Sequence, residues 1–314
     1  MPRWPVVIAL LAAGSLVACS GPSSHAAEPA ARGALSVGPR DAAPDPDAYA
    51  PFGEHRVAYS DSGGGPEALV LVHGWGSDRR VWDEQLDSLS RAHRVIAVDL
   101  LGHGRSDKPE LPYTMDVLAD SLDAVLEHAG VRRAVLVGHS NGTPVIRQLL
   151  RRHPAHVAGL VAVDGALRAF TDDPAEIQRY ASMFQGDDYL VAVEAMGRQA
   201  LSPQLPEPRR EELLAMMRAV PQHVLVSSLV ESFDADVWAP DRIDVPLLVI
   251  RAQQPRWDDD ARRFAESLAP QLEYHVLEGV THFLMLDEPH VFRHLIEDFV
   301  LRRELLGPAP ATML

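Results

Sequence analysis

The stretch Ala134-Val135-Leu136-Val137-Gly138-His139-Ser140-Asn141-Gly142 decides how this chain is read. Four aliphatic residues in a row suit a strand buried on both faces. They run straight into Gly-His-Ser-Asn-Gly, and residues 142–153 then follow a helical pattern. A serine placed on such a strand-to-helix turn has a physical rationale. The turn is sharp and strained, so the Oγ stands clear of the sheet. Small neighbours are required because backbone packs closely around it. A bare Gly-X-Ser-X-Gly match is weak; its place between a strand and a helix gives it weight. Ser140 is therefore the candidate nucleophile, and a purely structural turn serine is the competing reading.

Outward from this stretch, further apolar runs alternate with helical ones. Residues 68–72 (ALVLV), 95–98 (VIAV), 160–163 (LVAV) and 247–250 (LLVI) read as strands of a parallel sheet covered on both faces, and 273–277 (EYHVL) as its last strand. Helical patterns lie at 81–90, 115–129, 258–268 and 288–303. The alternation predicts an α/β fold with right-handed crossovers and a mostly parallel, doubly wound sheet. Residues 56–60, ahead of the Gly63-Gly64-Gly65 turn, read as an antiparallel edge strand. Residues 166–239 break the alternation. They are helical, rich in Met, Pro and charge, and hold no buried strand pattern. A structureless crossover of that length is uncommon, so an inserted helical cap over the sheet's C-terminal edge is expected.

Two further segments carry chemistry. His73-Gly74-Trp75-Gly76 ends the strand at 68–72, and the backbone N–H groups of Trp75 and Asn141 are the expected oxyanion-hole donors. Such donors stabilise the tetrahedral intermediate by about 3–4 kcal/mol each. His282, in Gly279-Val280-Thr281-His282-Phe283, follows the last strand. A serine hydroxyl needs a base, and imidazole serves near neutral pH. With 14 histidines in the chain, residue type alone decides nothing. His282 stands out by coming last in the order nucleophile, acid, base, at a strand end; His275, His290 and His294 read as packed or exposed residues.

With these segments in place, residues 53–303 resemble the α/β-hydrolase superfamily, in its cap-bearing serine hydrolase branch. The resemblance rests on His73-Gly74-Trp75-Gly76, on Asp99-Leu100-Leu101-Gly102-His103-Gly104-Arg105-Ser106, on the serine elbow, and on His282-Phe283-Leu284-Met285-Leu286-Asp287-Glu288-Pro289. It implies an α/β-hydrolase fold with a serine nucleophile, a histidine base and an acid. Ser140 argues against the aspartate-nucleophile dehalogenases and epoxide hydrolases of the same superfamily. The family's usual acid follows the strand at 247–250, but here that turn reads Arg251-Ala252-Gln253-Gln254-Pro255-Arg256-Trp257. Asp258 is the first carboxylate beyond it and looks like a helix N-cap. Asp164, which ends the strand at 160–163, is the preferred acid, with Asp258 as the alternative.

The implied reaction is acyl transfer on an ester, thioester or lactone through an acyl-enzyme, with no metal or cofactor. Carbon–carbon bond hydrolysis and cofactor-free perhydrolysis use similar residues and stay open, and a non-catalytic binding protein is the remaining alternative. Phe170, Tyr180, Met183, Phe184, Tyr189, Met196, Met216, Met217, Phe233 and Trp238 are candidate pocket walls in the cap, or else cap-to-sheet packing. The substrate is expected to be a small acyl compound. The formal charge of −15 argues against a nucleic-acid partner, since phosphate binding needs clustered basic residues.

The N-terminus differs from the rest. Arg3, an apolar run at 6–18 and Leu16-Val17-Ala18-Cys19 read as a signal peptide (1–18), too short to span a bilayer, whose end resembles the bacterial lipobox. Cys19, the one cysteine, is then a lipidation site holding the enzyme on the outer side of a bacterial membrane. Residues 19–50, rich in Ala, Pro, Gly and Ser, read as a flexible tether. The core is expected at 51–165 and 240–304, the cap at 166–239 and a tail at 305–314.

Overall fold

The computed structural model describes residues 48–307. The signal segment, Cys19, nearly all of the tether and the end of the tail lie outside the described residues.

Eight strands form one sheet in the order β1-β2-β4-β3-β5-β6-β7-β8. They are β1 (Ala48–Phe52), β2 (His55–Ser62), β3 (Glu67–Val72), β4 (Val95–Val98), β5 (Arg133–His139), β6 (Val157–Val163), β7 (Leu247–Ala252) and β8 (Leu272–Leu277). The last six run parallel to one another; β1 and β2 are antiparallel. The uninterrupted aliphatic runs behave as their composition requires. Every residue of β4, β6 and β7 is buried, because helices cover both faces. Here β5 sits mid-sheet, with Val137 paired to Leu71 of β3 and to Val161 of β6. By contrast β8 is an edge, and its mixed sequence LEYHVL is only partly buried.

The core helices are α1 (Asp83–Leu89), α2 (Met115–His128), α3 (Gly142–Arg152), α8 (Asp259–Leu268), α9 (Leu284–Asp287) and α10 (Pro289–Arg302). The segment between β6 and β7 forms α4 (Pro174–Ser182), α5 (Tyr189–Ala200), α6 (Glu207–Arg218), α7 (Gln222–Glu231) and a 3₁₀ turn at Ala235–Trp238. This is the expected helical insertion. Two arginines of α3 pin its roots: Arg147 donates to the carbonyls of Leu167 (2.9 Å) and Ala239 (2.6 Å), and Arg151 to that of Val237 (2.8 Å).

Two expectations need correction. The strand read at 56–60 is longer and is not the edge, because β1 pairs outside it from Ala48↔Tyr59 to Phe52↔His55. Residues 48–50 therefore belong to β1 rather than to a tether ending at residue 50, and Ala50 is fully buried. Composition misled here because strand pairing is made by the main chain and needs no large apolar side chain.

Candidate active site

At the centre of the site β5 ends at His139 and α3 starts at Gly142. Ser140, between them, has φ +52°, a left-handed conformation that non-glycine residues seldom adopt. Two backbone hydrogen bonds hold it there: its N–H donates to Val163 (2.8 Å) and its carbonyl accepts from Thr143 (3.0 Å). The reason for Gly142 is close approach. A Cβ there would lie 2.7 Å from the carbonyl oxygens of both Val72 and His73, so the helix could not start against β3.

His282 lies in the loop between β8 and α9. Asp287 fastens the preceding residue by accepting from the Thr281 N–H (2.5 Å) and Oγ1 (2.7 Å). His139 supports the same loop: its Nε2 donates to the His282 carbonyl (2.9 Å), and the two rings lie 4.7 Å apart. Burial, with the nearby His282, pushes the His139 imidazole down to about 3. His139 is thus a neutral donor throughout the neutral range.

Asp164 directly follows β6 and meets His282. Its Oδ2 lies 2.6 Å from His282 Nδ1. The carboxylate is wholly buried and accepts three further bonds: to Oδ1 from the Ala252 N–H (3.0 Å) and Trp257 Nε1 (2.7 Å), and to Oδ2 from the Arg256 guanidinium (2.6 Å). Burial alone would raise this carboxyl. The bond to His282, its charge and those of Arg256 and Arg251 outweigh burial and hold it well below the ordinary carboxylate range. An ionised Asp164 makes Nδ1 of His282 the protonated nitrogen and leaves Nε2 as a proton acceptor. Asp164 also has φ +43°, held by its N–H donating to Ile250 (2.8 Å). Asp258, the alternative acid, instead caps α8 by accepting from the Ala261 N–H (2.9 Å).

The loop after β3 completes the site. His73 Nδ1 donates to the Gly74 carbonyl (2.8 Å), and its Nε2 accepts from the Leu100 N–H (3.0 Å). Burial lowers its pKa, which suits this neutral bridging role. Trp75 is tied to the cap: Nε1 donates to the Leu225 carbonyl (2.9 Å), and its ring packs on Phe184 at 4.9 Å. Gly74, Trp75 and Asn141 line a cavity of about 10 Å³ together with Leu100, His103 and Ser228. That is room for roughly one water. The Asp99 loop is structural. Asp99 accepts from the N–H groups of Arg79 and Arg105 (2.8 Å each) and from the Arg79 guanidinium, tying β4's loop to the one after β3.

Of the proposed pocket walls, Tyr180, Phe184, Met216 and Met217 are buried in packing, and Phe170 is exposed. Three residues with contacts here were not singled out from the sequence: Arg251, Arg256 and Trp257. The one signal they left was the missing aspartate in their turn. Among the described residues no cluster of three or more His, Cys, Asp or Glu side chains is arranged to hold a metal ion.

An eight-stranded, mostly parallel sheet, a serine on a strained turn after β5 and an Asp–His pair at neighbouring strand ends define a hydrolase of the α/β class. The comparisons agree: residues 67–289 match the family described as the alpha/beta hydrolase fold, and the chain belongs to it. It is 30% identical over 254 residues to a non-heme chloroperoxidase of Streptomyces lividans, covering 74% of this chain and 91% of that one. Among solved structures, it is 28% identical to an N-acyl homoserine lactone degrading enzyme, with TM-score 0.66 and coverage of 81% and 100%. An esterase from Rhodococcus sp. is 26% identical, with TM-score 0.67 and coverage of 81% and 97%.

Proposed function

We propose that the chain is a serine carboxylic ester hydrolase acting on small esters, thioesters or lactones. The observation that carries this reading is the 2.6 Å contact between His282 Nδ1 and a buried, ionised Asp164, on the same sheet edge as Ser140. In the proposed cycle Ser140 Oγ attacks the carbonyl as His282 Nε2 takes its proton. The Trp75 and Asn141 N–H groups receive the oxyanion. His282 then protonates the leaving alcohol, thiol or lactone oxygen, and next activates water against the acyl-enzyme. The esterase and lactone-degrading relatives support this substrate class. A fluorophosphonate probe tests the reading: Ser140 should be labelled in the folded protein, and labelling that persists in Ser140→Ala would overturn it.

The chloroperoxidase relative favours a second reading, perhydrolysis, in which hydrogen peroxide replaces water in attacking the same acyl-enzyme and leaves as a peracid. Peracid formation from acetate and peroxide, set against p-nitrophenyl ester and lactone turnover, separates the two. We also propose that Cys19 is lipidated and tethers the enzyme outside a bacterial membrane. Cys19→Ser should abolish lipid labelling and membrane fractionation.

A further inference from the structure

The turn that would ordinarily offer the acid offers a cation instead. Arg256 reaches across to Asp164, and one of its terminal nitrogens lies 2.6 Å from Oδ2, the same oxygen that binds His282. That nitrogen also lies 3.2 Å from His282 Nδ1. Since Nδ1 carries the proton it shares with Asp164, the 3.2 Å contact sets two donors, one of them cationic, against each other. Neighbours keep the guanidinium in this position. Its group lies 5.0 Å from the Trp257 ring centroid, Arg251 stacks over the same ring at 3.9 Å, and Trp257 Nε1 is bonded to Asp164. The Arg251 guanidinium also donates to the Gly165 carbonyl.

We propose that Arg256 is a positioning residue that shares Asp164 Oδ2 with His282 and opposes a second positive charge on the imidazole ring. The inference rests on the reading of Ser140, His282 and Asp164 as a catalytic triad. The groups around the His282 ring fit it. Among the described residues, Asp164, after β6, is the carboxylate bonded to the ring, and Arg256, ahead of α8, is the cation in contact with it. Arg251 of β7 acts through Asp164 and Trp257, and His139, at the end of β5, is neutral. Asp287 of α9 is turned to Thr281. Removing the Arg256 charge therefore leaves Asp164 free to favour the charged ring. The sign is fixed: the imidazole must then titrate at higher pH.

The test uses the whole chain. The His282 ring is titrated by NMR after histidine isotope labelling, with its signal assigned by loss in His282→Gln. The kcat/KM–pH profile for a p-nitrophenyl ester is recorded alongside. In Arg256→Gln and Arg256→Met the His282 midpoint and the acid limb should both rise by about one pH unit. On the acid side that is roughly a tenfold loss of activity. Arg256→Lys, which keeps the charge but not the planar group beside Trp257, should shift the midpoint less than either neutral variant. A His282 midpoint that is unmoved or falls in both neutral variants overturns the proposal. If Ser140 takes no fluorophosphonate label, the hydrolase reading fails instead, while the NMR titration still decides the role of Arg256.

Discussion

Asp164 holds four donors at once, which supports the proposal that it is the acid and makes the site sensitive to its replacement. An asparagine there would turn an N–H₂ group toward donors, either at His282 or at Ala252 and Trp257. The His282 tautomer would then be lost. Asp164→Asn should lower kcat by about 10³–10⁴-fold with ester substrate. Asp258→Asn should leave turnover intact, because asparagine caps a helix as well as aspartate does. Stopped assays on both variants, with fluorophosphonate labelling to confirm the fold, decide between the two carboxylates. The same residues show what a sequence can reveal of a site. Ser140 and His282 were legible because each sits in a short motif next to a strand pattern. Asp164 was legible only by elimination, once the turn after β7 held no aspartate. The partners Arg256 and Trp257 were not legible, since they lie 92 and 93 residues away in sequence and meet Asp164 only when β6 and β7 pair.

At the scale of elements, β3 to β7 announced themselves because fully buried parallel strands must be almost wholly aliphatic. β1 did not, because AYAPF carries no aliphatic run and follows an Ala- and Pro-rich stretch, and its pairing with β2 is made by the main chain. The cap was visible as helices, but its attachment was not. The Arg147 contacts join α3 to both ends of the insertion through carbonyls, which leave no trace in a side-chain pattern. Arg147→Met would remove a buried donor and leave the Leu167 and Ala239 carbonyls without it. A loss of about 1–3 kcal/mol is expected in urea unfolding. Gly165, next to Asp164, is a second joint. A Cβ there would overlap Thr143 Oγ1 and the Ser140 carbonyl, both part of the elbow. Gly165→Ala should lower kcat and slow fluorophosphonate labelling of Ser140, with little change in the affinity of substrates bound through the cap. Normal labelling kinetics in that variant would show that the elbow yields without cost.

For the whole molecule, pH acts through two separate sets of histidines, one on activity and one on stability. His282 lines the site, in contact with Asp164 and Arg256. His103 and His139 are buried neutral in the core, each pushed down to about 3, chiefly by burial, and His73 is lowered for the same reason. The unfolded chain binds protons on these residues below about 6.5, and the folded one does not. Their contribution is therefore complete above that pH and shrinks steadily as the pH falls toward 3. At pH 5 the loss is roughly 2 kcal/mol for each of His103 and His139. The depressed Asp164 adds its own loss only below about pH 4, where the unfolded carboxyl protonates. Urea midpoints should thus fall between pH 7.5 and pH 5, and a flat profile over that interval would rule out the buried neutral histidines as its source. The acid limb of catalysis and the acid limb of stability then have separate causes. Arg256→Gln should move the first toward neutral pH without steepening the second, because a His282 that binds its proton more tightly in the folded chain offsets part of the loss at His103 and His139. If both limbs moved together, loss of activity in acid would be unfolding rather than protonation of the base.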